Sequence, residues 1–168
     1  TDLREIGSNP GGDPVALKAL LGDLRAEIAE HLDSAGIALD WEETALPDRP
    51  VTPLVVNSVR AILREGVSNI LHHSGARHAA VRIAMAPGAE RLVLTITDDG
   101  RGLVPPSPGP VPLRTKGSGL RNLRARTEAR GGTFLIRTRP DGQGTELRAD
   151  LPLASDRDLP VQFRDAGE

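Results

Sequence analysis

The sequence predicts an α/β (α+β) domain built as a two-layer sandwich, with helices packed on one face of a mixed sheet. Three observations lead there. Apolar residues recur at helical spacing in three stretches, strand-like stretches stand between and after them, and the order runs helix, strand, helix, hairpin, loop, helix, hairpin. A chain of 168 residues is about one domain long. With two Phe, one Trp and no Tyr, its core must be built from Leu, Ile, Val and Ala.

Residues Thr1–Gly12 are polar and Gly-rich and read as a frayed end. Asp13-Pro14 reads as an N-cap with proline in the first turn, ahead of Leu17, Leu20, Leu21, Leu24, Ile28 and Leu32, and Gly36 stops that helix. Ile37–Glu43 alternates as a strand, and 45–53, with three prolines, is a loop. A second helix is expected from about Pro53 to His73, with Val59, Leu63, Val67, Ile70 and Leu71 as its apolar stripe. Strands follow over His78–Ala86 and Arg91–Thr97, joined at Pro87-Gly88. Residues 103–116 hold five prolines without a period and form a loop. The third helix runs from about Ser118 to Gly131-Gly132, and strands Thr133–Arg139 and Thr145–Leu151 flank the turn Pro140-Asp141-Gly142. Beyond Leu153 the pattern dissolves into a charged tail.

Composition narrows the function. A net charge of −2 argues against a nucleic-acid partner, which calls for a basic footprint. Without cysteine there is no disulfide, thiolate metal site or cysteine nucleophile. No apolar run approaches the ~20 residues that cross a bilayer, and no signal segment opens the chain. The chain begins with Thr rather than Met, which predicts a piece of a longer protein.

Four features carry chemistry. On the second helix, Glu65, Asn69, His72 and His73 fall on one arc opposite the apolar stripe at about 100° per residue, so they face a cavity or solvent. Asn69 offers a neutral carbonyl oxygen suited to Mg²⁺ when phosphates supply the negative charge. Glu65, one turn earlier, can orient a water or a magnesium ligand. Asp98-Asp99-Gly100-Arg101-Gly102 follows an apolar strand. An acid there accepts a hydrogen bond from an exocyclic amine such as that of adenine, and the glycines let the backbone bend close to a flat ring. A strand-ending turn accounts for the same residues.

Lys116-Gly117-Ser118-Gly119-Leu120 opens the third helix, where exposed N–H groups and the helix dipole favour an anion. It is neither a dinucleotide fingerprint nor a Walker motif, because Asn122 stands where a third glycine is needed and no Gly-Lys-Ser/Thr occurs. Last, the hydroxyl of Thr145, after Gly142-Gln143-Gly144, is placed to bind a water beside the base. A tight hairpin explains that run as well.

Taken together, the four resemble the boxes of histidine kinases. Glu65…Asn69 with its two histidines is similar to the N box, Asp98–Gly102 to the Asp-x-Gly-x-Gly box, Gly117–Leu120 to the Gly-x-Gly-Leu box, and Gly144-Thr145 to the closing Gly-Thr. Arg64–His73 and Gly119–Gly132 most resemble the nitrate-sensor-type subfamily, and the likeness extends from about Val15 to Leu153. The resemblance implies a Bergerat sandwich that binds ATP and Mg²⁺. It implies that Asn69 chelates the metal and that Asp98 takes the adenine amine, with Thr145 supporting through water. Gly100 and Gly102 would line the base pocket. Lys116, Gly117, Ser118, Gly119 and Leu120 would face the phosphates together with His73, and Glu65 would join Asn69 in catalysis. Residues 103–116 would be a lid. Arg114, Lys116, Arg121 and Arg124 form a local basic cluster beside it.

The implied partners are the phosphoacceptor histidine helices of a homodimeric parent kinase and a response regulator, with no nucleic acid. The implied placement is cytoplasmic, with the parent's anchoring to a membrane left open. Residues 1–36 would lead to the missing dimerisation region, 37–153 would bind ATP, and 154–168 would be a tail. The arginine-rich histidine box of the family is absent. His31-Leu32-Asp33 echoes its end but lies only 38 residues before Asn69, without the basic lead-in. His72 stands where Lys or Arg is common. Three rivals stay open: a serine kinase restraining a sigma factor, a nucleotide-binding module without transfer activity, and an ATPase with Glu65 as base.

Overall fold

The computed structural model describes residues 15–87, 90–102 and 118–153. The expected frayed end Thr1–Gly12, the expected N-cap Asp13-Pro14, the lid 103–116 with Arg114 and Lys116, Gly117 and the tail 154–168 lie outside the described residues.

Strands β2 (Ala38–Thr44), β4 (His78–Met85), β5 (Arg91–Asp98), β6 (Thr133–Thr138) and β7 (Thr145–Pro152) form one sheet in the order β2-β4-β5-β7-β6. β2 runs parallel to β4 and the other pairs are antiparallel, so the sheet is mixed as expected. Helices α1 (Leu17–Ser34), α2 (Pro53–Asn69) and α3 (Ser118–Ala129) cover one face, α1 against β2, α2 against β5 and β7, α3 against β6 and β7.

Strand alternation explains the single covered face. On β5, Leu92, Leu94, Ile96 and Asp98 are buried while the residues between them are partly exposed. The opposite face carries ion pairs between neighbouring strands, Arg82 with Glu42 and Arg137 with Glu146, which suit a solvated surface.

α1 contributes Leu17, Leu20, Leu21, Leu24, Ile28 and Leu32 to the same core as the sheet and α2. Residues on both sides of position 36 therefore share one hydrophobic core. α1 ends as Gly36 turns left-handed at φ 73°, with the Ile37 N–H reaching the Leu32 carbonyl at 2.9 Å and the Gly36 N–H reaching Asp33 at 3.0 Å. That is a Schellman closure.

Three boundaries differ from the sequence reading. The helix starts at Leu17, because Val15–Ala16 (β1) is extended and pairs with Pro50–Val51 (β3) inside the expected loop. Two-residue strands are too short to leave a periodic signal. α2 starts where expected, with Thr52 accepting the Val55 N–H and Pro53 in the first turn. It ends at Asn69, and Ile70–Ser74 continues as one π-helical turn closed by Gly75 at φ 64°.

Candidate functional site

The open ends of β5 and β7 meet the last turns of α2. Between them lies a cavity floored by Ile96, Ile136 and Leu147 and walled on the helix side by Gly66, Asn69 and Ile70. Ser74, Asp98, Gly102 and Thr145 close its far end. It measures about 30 Å³, room for a water and not for a purine, so a ring enters only as these side chains shift.

Asp98 is the polar group of the pocket, and its strand puts it there. It keeps the inward parity of Leu92, Leu94 and Ile96, which leaves it 5% exposed under α2. One carboxylate oxygen accepts the Gly100 N–H at 2.8 Å. Burial pushes its pKa up, opposed by the N–H groups of Gly100 and Thr145. A buried carboxylate with apolar walls is able to accept a hydrogen bond from an N–H group entering the cavity.

Asp99 points the other way. It accepts the N–H groups of Arg77 at 2.8 Å and His78 at 2.9 Å, and its second oxygen pairs with His78 Nδ1 at 2.8 Å. The backbone bond from His78 leads the effects that lower its pKa to about 2. His78 is thus half of the tie that fastens the loop to the start of β4.

Glycines pin the loop from both sides. A Cβ on Gly100 would lie 2.8 Å from the carbonyl carbon of Ser74 and closer still to its oxygen. One on Gly144, at φ 91°, would lie 2.7 Å from the Asp98 carbonyl carbon and run into its oxygen. Gly102, at φ 72°, lines the cavity against Gly144. The resemblance makes Gly100 a pocket lining. The structure instead turns it against the backbone of Ser74, whose carbonyl also accepts the Arg101 N–H at 2.9 Å.

Along α2, Asn69 reaches the cavity and Glu65 lies one turn earlier, beside α3. A Cβ on Gly119 would sit 2.9 Å from the Glu65 carboxyl carbon and closer to its Oε1, so the first turn of α3 packs against that carboxylate. Leu120, expected at the phosphates, is 2% exposed and belongs to the core. The side chains of His73 and Ser118 lie outside the described residues, as do Lys116 and Gly117. Arg124 pairs with Glu128 along α3 at 2.8 Å.

His72 corrects the sequence reading. It lies not on the arc with Asn69 but in a groove between α1 and α2 with His31, Glu27, Arg64 and Leu71, where its Nδ1 is 2.8 Å from the Ser68 carbonyl. The π-helical turn at Ile70 breaks the 100° progression just before it.

Gly66, Ser74 and the three floor residues were not picked out from the sequence. Gly66 had a signal: a glycine inside a strongly apolar helix marks a close approach, here to the Ile96 side chain. Ser74 had little, since its role is a buried hydroxyl donating to the Ile70 carbonyl at 2.7 Å and accepting from Ala76.

Comparison with known proteins fits this geometry. The family of histidine kinase-, DNA gyrase B- and HSP90-like ATPases matches residues 55–155, which hold most of α2, the Asp98 loop and β7. The chain belongs to this family. It is 35% identical over 141 residues to the signal transduction histidine-protein kinase/phosphatase UhpB of Salmonella typhimurium, covering 82% of this chain and 24% of that protein. It is 35% identical over 109 residues to the sensor histidine kinase NarS of Mycobacterium tuberculosis, covering 63% and 24%. The chain thus spans about a quarter of the length of these curated relatives. Its fold is that of a histidine kinase domain from a blue-light activated kinase of Erythrobacter litoralis EL346, with a TM-score of 0.66, 21% identity and coverage of 90% and 68%. The catalytic domain of histidine kinase ThkA superposes with a TM-score of 0.60 at 17% identity, covering 84% and 96%.

Proposed function

We propose that this chain is the ATP-binding catalytic domain of a sensor histidine kinase, and that it delivers the γ-phosphoryl of Mg-ATP to a histidine on a segment outside this sequence. The observation that carries the reading is Asp98, a carboxylate buried at a strand end on an apolar cavity that Asn69 also lines, with Glu65 one helical turn from Asn69 and beside the start of α3. Asp98 accepts the amine of adenine, while Ile96, Ile136 and Leu147 bear on the ring. The first turn of α3 lies at the phosphate end.

The donors suit magnesium. No group of three or more His, Cys, Asp or Glu gathers into a metal cage among the described residues. The Asn69 carbonyl and the Glu65 carboxylate are hard oxygens on successive turns of one helix, fitting an ion that takes its other ligands from phosphate and water. Bound there, the ion neutralises charge on the transferring group. Asn69 would hold and orient it, and Glu65 would orient a water beside it. The partners on this reading are the parent's phosphoacceptor helices, in a homodimer, and a response regulator, in the cytoplasm.

The first test is stability. Mg-ATP at ~100 times its dissociation constant stabilises the fold by about 2.7 kcal/mol, a melting shift of roughly 5–10 °C. No shift at millimolar nucleotide contradicts the reading. With γ-labelled ATP the chain alone stays unlabelled, because His31 and His72 share a groove with none of the cavity's residues. Adding the parent's histidine-bearing helices gives acid-labile label on them. Label on this chain, abolished by His31→Ala, would overturn the assignment.

A further inference from the structure

We infer that Arg139 is a positioning residue for Asp98: from outside the cavity it holds the Asp98 backbone and sets a positive charge near the carboxylate that reads the amine of the base. The inference rests on the proposed nucleotide site and deepens it, naming a residue outside the pocket on which base selection depends.

Three contacts meet at Arg139. Its Nη1 donates to the Asp98 carbonyl at 3.4 Å. Its backbone N–H donates to the Gly144 carbonyl at 3.0 Å, and Gly144 is the glycine packed on that same Asp98 carbonyl. Its Nη2 pairs with Asp141 at 3.0 Å, so the guanidinium spans from the hairpin turn to the end of β5. Arg139 does all this without entering the cavity. It shares a separate hollow with Asp40, His78 and Arg82, where the other basic groups are taken up, His78 by Asp99 and Arg82 by Glu42.

The electrostatics follow from this placement. Burial raises the pKa of Asp98, the N–H groups of Gly100 and Thr145 oppose the rise, the charge of Asp99 adds to it, and the charge of Arg139 works against it. Asp99 is the next residue in the chain, so Arg139 offsets a like charge that the sequence itself sets beside the carboxylate. The guanidinium bonds the carbonyl rather than the carboxylate, and so steadies the anion without occupying the oxygens that a ligand must reach. A purine that carries an amine gains from this arrangement, and one without the amine does not.

The experiment titrates adenosine and purine riboside, which lacks the amine, into the chain and its variants by calorimetry, with melting curves to show that each variant folds. Two uncharged variants, Arg139→Met and Arg139→Gln, guard against a single misfolded protein. Each should weaken adenosine about fivefold and leave purine riboside within about twofold. Arg139→Lys keeps the charge and should retain most of the preference for adenosine. Asp141→Asn cuts the hairpin tie alone and should leave that preference within about twofold. Added to Asp98→Asn, Arg139→Met should change neither ligand further by more than about twofold. If the uncharged variants weaken both nucleosides equally or neither, or if Asp141→Asn or Arg139→Lys costs as much preference as they do, the inference is overturned while the nucleotide site stands. If the parent chain binds neither nucleoside, or Asp98→Asn keeps the full preference, the site assignment falls and the inference with it.

Discussion

The two ends of the candidate site are built in different ways. At the base end, backbone packs on backbone: Ser74 on Gly100, Gly144 on Asp98, with Asp99 fastened to the amides of Arg77 and His78. At the phosphate end a side chain does the packing, the Glu65 carboxylate against Gly119. A backbone contact cannot yield without moving a strand, whereas a glutamate swings on three rotatable bonds. The backbone frame of the base end is thus fixed, its lining side chains alone shifting for a ring, while the phosphate end adjusts at Glu65. That division suits a site that must recognise one ring and yet accept a charge whose metal and length vary.

Glycine replacement breaks the comparison most forcefully. Gly144→Ala forces a Cβ into the Asp98 carbonyl at a positive φ, and should destabilise by about 3 kcal/mol or more. Gly142 in the same hairpin has a similar φ of 82° with nothing near its Cβ, so Gly142→Ala should cost only about 1 kcal/mol. Gly119→Ala meets the far end of a flexible side chain and should stay within about 1 kcal/mol of the parent. Denaturant unfolding of the three variants checks the order. Equal losses at Gly144 and Gly119 would remove the distinction between the ends.

These contacts mark where the sequence was legible. Element order, the mixed sheet and the Asp98, Gly144-Thr145 and Asn69 positions follow from periodicity and local chemistry, since strand parity alone sends Asp98 inward. The place of His72 does not. A single i→i+5 turn at Ile70 leaves no trace in composition, yet it carries His72 off the α-helical projection. Gly100 was visible as a required glycine, but what it must avoid, the Ser74 backbone, is distant in sequence. β1 and β3 were invisible because each borrows its pairing from the other.

A smaller effect sharpens the base end through pH. Asp99 is held near pKa 2, below its ordinary 3.8, so its stabilising share is complete above pH 3.8 and disappears as pH falls through 2. Asp98 shifts oppositely: burial raises its pKa, so its ionisation opposes folding and its protonation at acid pH does not. In acid unfolding curves, Asp99→Asn should flatten the loss between about pH 4 and 2. Asp98→Asn should leave that window unchanged. Nucleotide affinity should decline as Asp98 takes up its proton.

The claim that base and phosphate are read at separate ends is met most directly by titrating adenosine and Mg-ATP into Asp98→Asn and Asn69→Ala. Asp98→Asn removes a charge-assisted hydrogen bond worth roughly 1.5–3 kcal/mol and should weaken both ligands by the same factor. Asn69→Ala should weaken Mg-ATP and remove its dependence on magnesium, with adenosine unaffected. Loss of adenosine binding in Asn69→Ala, or unchanged adenosine binding in Asp98→Asn, would contradict the account.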